Sequence, residues 1–182
     1  MSNVAVIYKS KYGSTKQYAQ WIADELRGDI YHDSAVSLDI LENYSTVIYG
    51  GGMYMGSILG ISFITKNFDA LKDKNLVVFG VGLENSENAK DFEGAIKKVF
   101  NEEMQKSIKT FHLRGAIDYK SMGLFHKVAM WGLVRSLKKK DKSTINDTDK
   151  MIIETYGEKL DFTSVDNIRP LVEYCNKENS LK

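Results

Sequence analysis

Cysteine and proline are almost absent: the 182 residues hold one of each, Cys175 and Pro170. A single cysteine excludes an internal disulfide and a cysteine-based zinc site, and it is the usage a reducing cytoplasm leaves. No Pro- or Ser-rich linker divides the chain. Its length is that of one domain, residues 1–182, able to bury about 70% of its unfolded surface. No apolar run approaches the roughly 18 residues of a membrane-spanning helix. Met1-Ser2-Asn3 lacks the basic start of a signal peptide, so a cytoplasmic location is expected. Net charge is scarce too, at +1, which on average argues against a strongly charged partner.

The average conceals a division. Between Lys120 and Lys142, seven Lys or Arg against Asp141 alone give a net +6, leaving −5 for the rest of the chain. A basic island on an acidic body calls for its own explanation.

Apolar residues make up 43% of the chain and charged ones 27%, a globular balance. Val4-Ala5-Val6-Ile7-Tyr8 reads as a buried strand. Thr15 to Arg27 reads as a helix, with Tyr18, Trp21, Ile22 and Leu26 at helical spacing. Further strands are expected at 29–32, 46–49, 76–79 and 110–113. Helices are expected at 58–68, 89–105, 147–160 and after Pro170. Strands alternating with helices predict an α/β fold, a three-layer doubly wound sandwich around a five-stranded parallel sheet. The alternation breaks once, between the fifth strand and Asp147, so the island reads as a basic helix in an insertion over about 117–146.

Gly13, Gly50 to Gly52, Gly80, Gly82 and Gly115 all follow predicted strands, at the sheet edge where ligands of such folds bind. Glycines also end strands for packing reasons alone; the triplet is the run least suited to that plain reading. The first strand–helix junction, Lys9-Ser10-Lys11-Tyr12-Gly13-Ser14-Thr15, offers three hydroxyls and a run of amides entering a helix. That is the chemistry a terminal phosphate needs. The plainer alternative is that Ser14 or Thr15 caps the helix. His32, His112 and His126 show no metal-ligand spacing, and His112 reads as a structural residue of the fifth strand.

The pattern Ser10-x-x-Gly13-x-Thr15 after an N-terminal strand resembles the phosphate loop of flavodoxins. Gly50-Gly51-Gly52-Met53-Tyr54-Met55-Gly56 resembles their second, flavin-flanking loop, and Gly82-Leu83-Glu84-Asn85 stands where the third would be. The resemblance implies strand order 2-1-3-4-5 and FMN at the switch point. Its phosphate would be held by Ser10, Lys11, Tyr12, Gly13, Ser14 and Thr15. Its ring would lie between Gly51, Gly52, Met53, Tyr54, Met55 and Gly56 on one side and Gly82, Leu83, Glu84 and Asn85 on the other. Tyr12 departs from the small or polar residue often found at its place, and Lys11 reads as a solvated lysine. Gly51, Gly52 and Gly56 are each candidates for a peptide that reorients beside the flavin. Glu84 reads as a solvated loop carboxylate rather than an acid–base residue.

The chain also resembles flavodoxin-domain proteins that include menaquinone-dependent protoporphyrinogen IX dehydrogenases. These carry a long insert opening with a pattern like Arg114-Gly115-Ala116-Ile117-Asp118-Tyr119. That resemblance implies an FMN-dependent oxidoreductase of haem biosynthesis, passing electrons from a porphyrinogen to a quinone. The alternatives are an electron carrier between redox protein partners, or an interaction protein that has lost the cofactor. Leu124 to Leu137 is apolar around nearly its whole circumference and flanked by lysines, which suits a helix lying in a membrane interface through 120–142, at the inner face of the membrane. Packing on its own domain, a homodimer surface and partner docking compete with that reading. Nucleic acid is not expected, because no binding module surrounds the basic stretch.

Overall fold

Alternation within each strand sets the layers. In the computed structural model, which describes residues 3–54, 56–86, 89–141, 144–145 and 147–180, the first strand, β1, spans Val4–Lys9. Ala5 and Ile7 pack into one core, Val4 and Val6 into another on the opposite face. A strand apolar on both faces belongs inside a sheet covered on both sides. The chain continues as α1 (Ser14–Leu26), β2 (Asp29–His32), α2 (Leu38–Leu41), β3 (Thr46–Tyr54), β4 (Ser57–Ile58), α3 (Ser62–Lys66), α4 (Phe68–Leu71) and β5 (Asn75–Gly82). Then come α5 (Lys90–Val99), α6 (Glu102–Ser107), β6 (Ile108–Arg114), β7 (Ala116–Asp118), α7 (Leu124–Leu137), α8 (Asp147–Glu154), β8 (Lys159–Asp161) and α9 (Arg169–Ser180).

The sheet order is β2-β1-β3-β5-β6, all parallel, with β4 returning antiparallel along β3. Setting that short hairpin strand aside, this is the 2-1-3-4-5 order expected. The order reverses between β1 and β3, which opens a crevice at their C-terminal ends. Tyr18 and Ile22 of α1 and Leu171 and Cys175 of α9 fill one face. Ile64, Phe68, Phe92 and Ile96 fill the other. Burial pushes the Cys175 thiol up to about 12, which leaves it unreactive.

Three elements differ from the sequence reading. The helix expected over 58–68 begins as β4, because Leu59 N–H donates to Gly52 O at 2.9 Å and closes a hairpin. The helix expected over 89–105 is two helices. Phe100 is extended, and Asn101 Oδ1 accepts from Met104 N–H at 2.8 Å, starting α6 afresh. The helix from Asp147 stops at Glu154, and the chain returns as β8, antiparallel to β7. The insertion therefore closes past the expected 146, where Phe162 N–H donates to Gly115 O at 3.2 Å. Met55, Lys142 and Asn146 lie outside the described residues.

Within the insertion, α7 packs through Val134 and Leu137, with Tyr119 and Met122 also buried. The rest of its apolar surface is bare: Leu124 is 79% exposed, Phe125 74%, Val128 59% and Trp131 53%. Leu124, Val128 and Trp131 follow i, i+4, i+7 spacing and form one stripe. Packing on its own domain thus leaves this stripe uncovered.

Candidate functional site

Three loops meet at the C-terminal edge of the sheet. The first follows β1. Ser10 Oγ accepts from Gly13 N–H at 3.1 Å and folds the loop back on itself. Gly13 takes φ +98°, a conformation that favours glycine, and serves as N-cap of α1. No side chain caps this helix and no acid lies in its first turn. The reading in which Ser14 or Thr15 caps it is therefore excluded. Gln17 N–H bonds back to Gly13 O at 2.9 Å; the amides of Ser14, Thr15 and Lys16 precede any intrahelical carbonyl. They stand at the positive end of the helix dipole, open to an anion. Thr15 is buried, and its Oγ1 lies 3.6 Å from where a Cβ on Gly52 would stand.

The second loop corrects the reading of the glycine triplet. A Cβ on Gly50 would lie 2.0 Å from Phe79 Cζ, and one on Gly51 would lie 2.4 Å from Leu59 O. Both are packing glycines inside β3; Gly80 of β5, beneath the Phe92 ring, and Gly115 after β6, against Val81, are packing glycines too. Gly52 alone of the triplet has an open α-carbon, and its carbonyl is engaged by Leu59 N–H. Gly56 sits at φ +73° in the turn between β3 and β4. Met53 lies against Gly80 and Gly82, and Tyr54 is half-buried at the hairpin's end.

The third loop corrects the reading of Glu84. It is 8% exposed, not solvated. Its carboxylate accepts from the amides of Asp91 (3.2 and 3.1 Å) and Phe92 (3.2 Å) at the start of α5. The loop is thus pinned to the helix it feeds. Leu83 O accepts from Arg114 Nε at 3.4 Å, and Asn85 is exposed. Burial raises the Glu84 carboxyl above its ordinary range, only partly offset by the two amides. The folded protein thus holds this proton to higher pH than the unfolded chain. Stability from this group is present below the ordinary glutamate range and is lost as pH rises through the raised value. Urea denaturation across that interval is expected to show wild type losing stability relative to Glu84→Gln as pH rises; parallel curves would contradict the assignment.

His112 completes the floor. It lies in β6 in register with Gly80, is 9% exposed, and its ring tilts against Phe92 at 5.4 Å. Both ring nitrogens are buried without a hydrogen-bond partner. Burial, aided by Arg114, depresses its pKa to about 4, so the ring is neutral at physiological pH.

The insertion supplies a residue that sequence spacing missed. Lys11 Nζ and His126 Nε2 lie 2.7 Å apart, and Lys11 Nζ stands 5.3 Å from the Tyr54 ring centroid. The His126 ring meets Tyr12 at 5.9 Å and Tyr54 at 5.4 Å. The N-terminal end of α7 therefore lies over the first and second loops. Lys11 is exposed but engaged, and the described residues place no carboxylate within ion-pair distance of it. Residues 11, 12, 54 and 126 converge from three distant segments; a lone histidine beside the insert's apolar run was the one signal available. The described residues contain no group of side chains able to hold a metal ion and no helix long and apolar enough to cross a membrane.

Residues 5–144 match the family model described as flavodoxin domain. A stretch of 52 residues is 46% identical to an uncharacterized protein of Methanocaldococcus jannaschii, covering 28% of this chain and 35% of that protein. The match thus spans about a third of that relative's length. Among solved structures, oxidised flavodoxin 2 from Bacillus cereus is similar over 62% of this chain and 84% of its own, at 17% identity and a TM-score of 0.46. A flavodoxin from the domain Archaea has the same coverage and identity at a TM-score of 0.42.

Proposed function

The chain belongs to the flavodoxin-domain family, and from that premise we propose that it is an FMN-binding oxidoreductase whose insertion shapes access to the flavin. The observation that carries this is the uncapped, acid-free start of α1, directly after β1 at the point where strand order reverses. The amides of residues 10–15 and the hydroxyls of Ser10, Ser14 and Thr15 would hold the phosphate. Other features of the edge suit the same group: the bare α-carbon of Gly52, Met53 against Gly82, and the 83–85 loop pinned through Glu84. Of the three glycines considered for a reorienting peptide, Gly56 is the one left in a turn. FMN, when bound, supplies hydride or single-electron chemistry. The chain's own residues bind it, orient its ring and restrict approach.

The finer reading rests on the sequence resemblance: a bulky reduced porphyrinogen as donor and a quinone as acceptor. The position of α7 supports an enzyme over a carrier, since His126 covers the loop region a protein docking partner would approach. The bare stripe of α7, with Arg135, Lys138 and Lys139 beside or beyond it, suits an anionic membrane surface, where a quinone would be met.

Fluorescence titration is expected to show one FMN per chain, with riboflavin, which lacks the phosphate, bound about tenfold more weakly. A protein that takes up neither flavin would overturn the reading. Anaerobic mixing of the FMN-loaded protein with protoporphyrinogen and a menaquinone analogue tests the substrate: porphyrin fluorescence no greater than with free FMN would sink it.

A further inference from the structure

His112 has a place in the fold that its chemistry does not explain. Nine-tenths buried, it leaves both ring nitrogens without a partner. Orphaned polar atoms in a core are costly, and phenylalanine at this position would pack on Phe92 without them. The surroundings are cut to admit the ring. A Cβ on Gly82 would lie 2.9 Å from His112 Nε2, so the last residue of β5 gives up its side chain for the imidazole. The same Cβ would lie 3.1 Å from Met53 Cγ. Met53 belongs to β3, next to its C-terminal end. A flexible thioether thus packs at the same α-carbon as the buried imidazole, at the C-terminal end of β5, and unbranched Met shifts easily.

We propose that His112 is a cofactor-facing residue: the partner its ring lacks within the protein is supplied by the polar edge of a flavin held between the Gly52–Tyr54 end of β3 and the 83–85 loop, with Met53 moving aside. This rests on the FMN reading above. A neutral imidazole offers one N–H donor and one acceptor, which matches a ring edge that presents both. The contact is to the ring and not to the phosphate, so its loss affects all flavins alike.

The test compares wild type with His112→Phe by fluorescence titration with FMN and with riboflavin, alongside thermal melts of the flavin-free proteins. The expected result is about tenfold weaker binding of both flavins, by the same factor, with the flavin-free melt unchanged or higher. A residue serving the fold alone would give the reverse: a lower melt and affinities within twofold of wild type, which overturns the proposal. Should His112→Phe fail to fold, the ring-nitrogen NMR signals of wild type, assigned with His112→Gln, decide the matter. They are expected to move on FMN saturation. FMN bound with those signals unmoved overturns this proposal and leaves the FMN reading standing. Wild type binding neither flavin overturns both.

Discussion

A double variant, Phe125→Glu with Trp131→Glu, is expected to bind vesicles containing anionic lipid about a hundredfold more weakly than wild type in a sedimentation assay. Each large apolar side chain removed from water contributes roughly 1.5–3 kcal/mol when fully buried. Two that sink part-way supply about 3 kcal/mol, or about two decades of affinity. Both side chains are exposed on α7. Arg135 rests 5.2 Å from the Trp131 ring, so a cation stands beside the apolar stripe as an anionic surface requires. Lys140 is engaged with Asp149 at 3.2 Å and contributes less to such a surface. Neutral vesicles are expected to retain wild type poorly, because the basic residues then lose their counterpart. Wild type that ignores anionic vesicles, or a double variant that binds them as well as wild type does, would remove the membrane from the account and leave a second copy of the chain as the occupant to seek.

The second large effect lies in the sheet. Gly50→Ala is expected to cost about 3 kcal/mol and to lower the melting temperature by roughly 10 °C. Its Cβ would lie 2.0 Å from Phe79 Cζ, and the Phe79 ring is fully buried among Val77, Val81 and Leu113 with nowhere to move. Combined with Phe79→Ala, the loss should be smaller than the sum of the two single losses, the signature of two residues that share one space. Gly52→Ala has its nearest neighbour at 3.6 Å, Thr15 Oγ1, and is expected to melt within about 2 °C of wild type. Equal melts for Gly50→Ala and wild type would show that the ring yields after all.

That contrast marks where the sequence could be read and where it could not. The parallel sheet was legible because β1, β3 and β5 are short runs of Val, Ile, Tyr and Phe buried on both faces, and few structures accommodate such runs. The amide-rich junction after β1 was legible because its parts are adjacent in the chain. The triplet was not: nothing in Gly50-Gly51-Gly52 says that Phe79 claims the first and Leu59 the second, since both clashes cross between segments. Glu84 reads as a loop carboxylate until α5 is placed, when its partners become amides seven and eight residues on. Lys11 and His126 stand 115 residues apart, and no spacing rule joins them. The helix break at Phe100 was within reach, since Asn101 is a strong N-cap residue, but continuous apolar periodicity outweighed one polar residue.

The β7–β8 ribbon has a consequence of another kind. The chain leaves the sheet at Gly115 and returns at Phe162 one hydrogen bond away. Everything between leaves and re-enters there, and touches the sheet edge again through His126 beside Lys11 and Tyr54. The sheet is therefore indifferent to the length of what it carries there, and closing a longer or shorter excursion changes its entropy only logarithmically. The sheet can thus stay constant while the excursion it carries is lengthened, shortened or rebuilt.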